Sequence, residues 1–354
     1  MDIDEIYYDA VDLLREMVAV PSLSRQEAGV ADVVERAMRR FGLDVKRHGC
    51  NLWSIAPGFD PQKPTILLNA HIDTVRVADG WQHQPFSPTM EGDRMYGLGT
   101  NDDGASVVSL LTAFRQLSER EQPYNLIFLA SAEEEVSGKG GIEGVLPMLP
   151  AISVALVGEP TGMQPAVAEK GLMVLDGVVR GVAGHAARNE GVNAIYKAMD
   201  VIGTLRTLRL PKESAMLGPV KITVTKIEAG HQHNVIPDLC TMLVDVRTTD
   251  AYTNVQTLEL IRQAVPQCEL TPHSTRLNPS GIDTGHPLVQ RALMLGKEPF
   301  GSPTLSDQAL MPFPSLKMGP GDSARSHTAD EYIELAEIRE AIDTYIIMLD
   351  GLRL

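Results

Sequence analysis

The sequence predicts an α/β protein with a mixed, largely parallel sheet, interrupted by an inserted α+β domain of ferredoxin-like type. Three observations predict it. Up to about residue 170, segments with helical apolar spacing alternate with short, wholly apolar runs that read as buried strands. From 171 to 280 the order changes to β-α-β-β-α, with one more strand possible near Leu270. After residue 281 the first pattern resumes. The expected domains are therefore 1–170 with 281–354, and 171–280.

The elements follow in order. Ile6, Ala10, Leu13, Leu14, Met17 and Val18 recur at helical spacing, and Pro21 stops that helix. Ser24, followed three residues on by Glu27, reads as a capping box opening a second helix that Gly42 closes. Short extended segments are expected at 43–46 and 52–56. The apolar run Thr65-Ile66-Leu67-Leu68-Asn69-Ala70 is a strand ending at His71, and 75–95 reads as an irregular loop. Helical spacing returns over 105–117, then come a strand at 125–130, a short helix at 142–148 and a strand at 153–157. In the insertion, strands are expected at 172–179, 220–227 and 240–247, with helices at 192–208 and 255–265. A helix at 287–295, an extended segment at 315–318 and an amphipathic helix at 334–349 complete the chain.

At 354 residues the length suits about two domains of roughly 150 residues each. Lys and Arg total 31 against 46 Asp and Glu, a net charge of −15 that argues against a nucleic-acid or anionic-membrane partner. Cys50, Cys240 and Cys268 have no paired spacing, so neither a disulfide framework nor a thiolate zinc site is expected. The acidic Met1–Glu5 start lacks the apolar segment of a secretory signal and no run suits a membrane span, so a cytoplasmic location is expected.

The acids that stand out lie at strand ends. Gly97-Leu98-Gly99-Thr100-Asn101-Asp102-Asp103-Gly104 sets two carboxylates in a glycine-rich turn between apolar segments. Asp102, and equally Asp103, could place one oxygen on each of two cations, or simply cap the following helix. His71-Ile72-Asp73 puts a potential ligand at a strand end, with an aspartate on the same side able to orient it. Glu133-Glu134-Glu135 follows another buried strand; beside a cation, one glutamate can be a ligand and its neighbour a general base. Glu159 follows a third strand, as a ligand or a turn residue. His327 sits in a polar loop before the last helix, and His185 reads as a surface residue of the insertion. A pair of divalent cations is the simplest partner for so many converging carboxylates.

Together these residues resemble the M20 family of dinuclear zinc amidohydrolases and exopeptidases, with five motifs in the family's order. The resemblance implies a zinc-exopeptidase-like catalytic domain with two zinc ions per subunit, cobalt or manganese being possible substitutes. It implies that His71, Asp102 and Glu159 hold one metal and Asp102, Glu135 and His327 the other. Asp73 would orient His71, and Glu134 would be the general base. It also implies a homodimer in which the inserted domain is the lid and dimerisation domain and His185 crosses to the partner's site to stabilise the oxyanion. Asn234 and Arg247 match substrate-binding positions. Where the family commonly has Asp-x-Lys-Gly, this chain has Asp102-Asp103-Gly104-Ala105, so Asp102 is aligned through Gly97-x-Gly99. The family also implies a cis peptide after that aspartate. Within the family, Gly97–Asp102 and Gly319–His327 look most like the acetylornithine deacetylase group, including members acting on N-succinylornithine. The expected substrate is then a small N-acyl amino acid on the way to arginine. Succinyl-diaminopimelate desuccinylase, a di- or tripeptidase and a non-catalytic metal-binding scaffold are the alternatives.

Overall fold

The computed structural model describes residues 3–188 and 190–354; of the acidic N-terminal segment, Met1 and Asp2 lie outside the described residues. The chain forms two compact units. The first comprises residues 1–167, 281–300 and 306–354, and the second 168–280 with 301–305.

In the first unit, strands Asn125–Ser131, Thr65–His71, Val154–Val157 and Ser315–Lys317 lie parallel and in that spatial order. Asn51–Ile55 adds antiparallel to Asn125–Ser131 and forms a hairpin with Lys46–His48, so the sheet is mixed around a parallel centre. The central strands are buried along their whole length, which is why they read as continuous apolar runs. The two-residue period sorts their faces. Ile66, Leu68, Ala70, Leu126, Phe128, Val154 and Leu156 pack in one cluster with residues of helices Ile3–Val18, Ala28–Arg40, Ala105–Ser118 and Leu335–Leu349. Leu67, Ile127, Leu129, Ala155 and Val157 pack in a smaller cluster on the other face, with Ile142, Val145 and Met311. Asn69, His71 and Ser131 continue that second face toward the carboxyl ends of the strands.

The expected capping box does not form. Glu27, the residue before the Ala28–Arg40 helix, makes no side-chain cap, and both signature residues bond elsewhere, as described below. Gly42 closes the helix as expected, with φ +80 and its N–H on the Arg39 carbonyl. The segment expected to be irregular contains two strands, Thr89–Glu91 and Arg94–Tyr96, which form a three-stranded antiparallel sheet with Tyr332–Glu334.

The second unit is a four-stranded antiparallel sheet in the order Lys221–Ala229, Leu239–Thr248, Gly171–Arg180, Cys268–Pro272. With helices Ala194–Thr207 and Asn254–Ala264, the chain order is β-α-β-β-α-β, the ferredoxin-like topology. Asn193 caps the first helix, and Thr253 with Gln256 forms a capping box on the second. Val179, Val244 and Val246 pack under the helix residues Ala198, Val201 and Ile261.

Candidate metal centre

Three parallel strands end side by side, so the residues just past their carboxyl ends meet, as happens at ligand sites of α/β sheets. His71 is the last residue of its strand and lies opposite Ser131 in the register. The turn Thr100–Gly104 brings Asp102 over it. Gly99 enters that turn at φ +82, and a Cβ there would stand 2.7 Å from the Thr74 methyl, so glycine is required. The Asp102–Asp103 peptide is cis. The Ala105–Ser118 helix has Gly104 at its cap position and no side-chain cap, so neither aspartate serves as its cap.

Asp102 joins the two histidines. Its Oδ1 lies 3.1 Å from His71 Nε2 and its Oδ2 3.5 Å from His327 Nε2. His327 Nε2 is also 3.1 Å from Glu135 Oε1. Donor atoms of His71, Asp102 and Glu135 lie within 4.8 Å of one another, as do those of His71, Glu134 and Glu159. His327 has φ +60, a left-handed conformation strained for a non-glycine residue.

Asp73 is fully buried and organises the glutamate turn. Its Oδ1 accepts the Glu134 N–H (2.9 Å), and its Oδ2 accepts the Glu135 N–H (3.2 Å) and the Ser24 hydroxyl (2.8 Å). The His71 Nδ1 sits 3.5 Å from Asp73 Oδ1 and 2.9 Å from its carbonyl oxygen. Glu27 Oε1 accepts the Arg25 and Glu133 N–H groups. Ser24 and Glu27 therefore hold the site rather than a helix end. Of the three consecutive glutamates, Glu133 takes a left-handed φ of +56 and turns toward Gly138 and Gly140, where any Cβ would collide with it.

Burial dominates the electrostatics. It pushes the carboxyls of Glu134 and Glu159 well above the usual range; Glu159, Asp307 and Glu135 add to the effect on Glu134, and Asp102 and Asp103 to that on Glu159, which Lys317 partly opposes. Burial also raises Asp73 and Asp102, but hydrogen bonds with His71 and its charge outweigh it, and both lie below their ordinary value. Desolvation opposes charging His71, yet Asp102 and Asp73 hold its pKa well above normal. His327 is raised to about 8, chiefly by its hydrogen bond with Glu135.

The donor set is imidazole nitrogen plus carboxylate oxygen, which suits zinc, cobalt or manganese. Ligand atoms about 2.0–2.1 Å from a tetrahedral zinc stand about 3.3 Å apart. The 3.1, 3.5 and 3.1 Å separations along His71–Asp102–His327–Glu135 match that spacing. The residues present therefore fit divalent cations.

Residues 67–350 match Peptidase family M20/M25/M40. The chain belongs to that family. It is a metallo-hydrolase, and its relatives are enzymes. It is 27% identical over 360 residues to acetylornithine deacetylase of Pectobacterium atrosepticum, covering 93% of this chain and 94% of that protein. It is 29% identical over 362 residues to acetylornithine deacetylase of Klebsiella pneumoniae, with the same two shares. Among solved structures, aminopeptidase PepT from Bacillus cereus superposes with a TM-score of 0.78 at 19% identity, covering 97% of this chain and 98% of that one. A dinuclear metal-binding peptidase of the M20 family from Bacillus subtilis gives a TM-score of 0.75 at 18% identity, covering 98% of each chain.

This M20 chain keeps three of its sequence-selected residues in the second unit. Gly184–His185 pairs with Val235–Ile236, and the Ala186 N–H donates to the Asn234 carbonyl at 3.0 Å, so His185 and Asn234 are neighbours on an exposed ladder. Arg247 lies on the Leu239–Thr248 strand, where Asp245 holds its guanidinium with contacts of 3.0 and 3.2 Å.

Other residues at the centre have no marked sequence signal. Asp307, from a short turn covering the second face of the sheet, accepts the Ser131 hydroxyl at 2.6 Å, and burial raises its carboxyl to about 6. Glu331 is buried against the Gly97–Asp102 turn, and burial raises it to about 8. Each is an acid between regular elements, and its importance comes from residues distant in the sequence.

Proposed function

We propose that this M20 enzyme hydrolyses the acyl amide of an N-acyl-L-amino acid, with N-acetyl-L-ornithine or N-succinyl-L-ornithine as substrate and L-ornithine, an arginine precursor, as product. The observation that carries the chemistry is Asp102 placed between two imidazoles with Glu134 alongside. The full-length relatives named acetylornithine deacetylase support the substrate class.

In this reading His71, Asp102 and Glu159 hold one zinc ion and Asp102, Glu135 and His327 the other, with cobalt or manganese as alternatives. The bound cations supply positive charge that acidifies a water molecule and polarises the amide carbonyl. Glu134 takes a proton from the water as its oxygen adds to the amide carbon. It returns that proton to nitrogen as the C–N bond breaks. Burial, with smaller contributions from neighbouring carboxylates, raises Glu134, which suits a group that must both accept and release a proton. Asp73 fixes the Glu134–Glu135 backbone and the His71 ring. Arg247 and Asn234 bind the substrate, Arg247 through its carboxylate.

His185 from a second copy of the chain donates to the developing oxyanion, so the working form is a homodimer and the second unit is its lid and dimerisation domain. Supporting this, the edge strand Lys221–Ala229 is exposed at every position from 225 to 229, and Tyr196 and Met199 on the neighbouring helix are 69% and 62% exposed. No helix among the described residues is long and apolar enough to cross a membrane, and a cytoplasmic location is proposed.

The test is kcat/KM for the purified zinc-loaded protein on N-acetyl-L-ornithine, N-succinyl-L-ornithine, N-succinyl-diaminopimelate and a di- and tripeptide panel. An ornithine derivative is expected to be turned over fastest. Preference for a peptide or for the diaminopimelate derivative would replace this substrate assignment.

A further inference from the structure

Asp102 and His327 lie on stretches far apart in the sequence, and each stretch is gripped by a side chain from the other. Glu331, four residues past His327, accepts three backbone N–H groups on one oxygen: Gly99 at 3.1 Å, Asn101 at 2.9 Å and Asp102 itself at 3.0 Å. Its carbonyl oxygen accepts a fourth, from Gly97, at 3.0 Å. In the other direction Asn101, the residue before Asp102, donates from Nδ2 to the Asp322 carbonyl and to the Ser326 hydroxyl, both at 3.1 Å. Its Oδ1 accepts the Asp322 N–H at 3.0 Å. Glu331 is 1% exposed and Asn101 is fully buried. Gly321 has φ +86 and lies where a Cβ would collide with the Asn101 amide, so the loop backbone is shaped around that side chain.

We propose that Glu331 and Asn101 form a reciprocal clasp that sets the spacing between Asp102 and His327 before any cation binds, making both of them positioning residues of the centre. The proposal rests on the reading of Asp102 and His327 as ligands. His327 is half-exposed on a polar loop with a left-handed backbone. The Thr328 hydroxyl closes that loop locally on the Arg325 carbonyl and Asp330 ties it to Gln82 and His83, whereas the clasp is what joins it to the turn that carries Asp102. The clasp ties that loop at Asp322, Ser326 and Glu331, on both sides of the histidine. It also ties the opposite turn at the peptide N–H of Asp102. Ordering both ligands during folding removes that ordering cost from metal binding.

The experiment compares wild type with Glu331→Gln, Glu331→Ala and Asn101→Ala. Tyr124→Phe is the control, because it removes a buried hydrogen bond to the Leu349 carbonyl outside the clasp. Two quantities are read: hydrogen exchange of peptides covering 97–104 and 322–331 in the metal-free protein, and zinc affinity by chelator competition. Glu331→Ala is expected to exchange faster over 97–104 and to weaken one of two zinc sites by about 10–100-fold. Glu331→Gln, which keeps the acceptor oxygen, is expected to recover most of both. Asn101→Ala is expected to loosen 322–331 and to weaken the same zinc site, and it carries the comparison should Glu331→Ala not fold. Tyr124→Phe is expected to change neither. The clasp is overturned if the alanine variants bind zinc like wild type, if glutamine is no better than alanine, or if Tyr124→Phe loses as much affinity. A wild-type protein that binds no zinc sinks the ligand reading instead, and the exchange data still report on the clasp.

Discussion

Asp73→Asn tests how the centre is assembled, because the change is nearly isosteric and the group is fully buried. The native carboxylate has acceptors for the Glu134 N–H on one oxygen, and for the Glu135 N–H and the Ser24 hydroxyl on the other. An asparagine amide has one oxygen, so its NH2 must face at least one of those backbone N–H groups. Hydrogen bonds to a charged partner contribute about 1.5–3 kcal/mol, and leaving a buried donor unsatisfied costs about 1–3 kcal/mol. The charge itself is favoured by the fold: burial raises the Asp73 pKa, but His71, Ser24 and the Glu134 N–H more than offset it. A loss of about 3 kcal/mol in the metal-free protein follows. Both tryptophans, Trp53 and Trp81, lie in the first unit, so their fluorescence during urea unfolding reports on the part that holds the site. Because the Glu134–Glu135 turn and the His71 ring lose their anchor together, zinc affinity or turnover is expected to fall about 10–100-fold. An Asp73→Asn protein with wild-type urea resistance and wild-type zinc affinity would refute this account of how the site is built.

Glu134→Gln is expected to lower kcat by about 10²–10⁴-fold while two zinc ions still bind; substantial turnover by this variant would remove Glu134 as the base. A ligand imidazole must be neutral, and His327 is protonated below about 8 in the metal-free protein, so zinc affinity is expected to rise about tenfold per pH unit from 6 toward 8. The raised pKa of His71 makes the dependence steeper, and a pH-independent affinity would contradict both assignments. Asp307 has its carboxyl raised by burial to about 6, so its ionisation costs the folded state stability as pH rises from the unfolded value near 4 through 6. Asp307→Asn keeps an acceptor for Ser131 and removes that cost. The metal-free variant should gain on the order of 2–3 kcal/mol at pH 8 and little at pH 4, read by urea unfolding.

The centre was legible where burial and chemistry conflict. Thr65–Ala70 and Asn125–Ala130 are continuous apolar runs because parallel central strands are covered on both faces, and an acid or histidine at the end of such a run stands out. The insertion was legible because alternating exposure along Gly171–Arg180 and Leu239–Thr248 leaves a two-residue signature. Thr89–Glu91, Arg94–Tyr96 and Tyr332–Glu334 were hidden for the opposite reason: three residues are too few to show a period, and their pairing joins distant segments. Ser24 and Glu27 look like a capping box because a serine and a glutamate that brace a buried turn carry the same letters as a helix start. Asn101, Asp307 and Glu331 could not be singled out, since an acid or amide in a loop acquires a role only when the fold encloses it.

The central claim is that acids and imidazoles from separate strand ends and loops hold two divalent cations at Asp102. Anomalous diffraction at the zinc edge, from crystals grown with stoichiometric zinc, tests it most directly. The account predicts two peaks flanking the Asp102 carboxylate, one within bonding distance of His71 and the other of His327. An anomalous map with no peak beside either histidine, from protein that is nonetheless active, would contradict it.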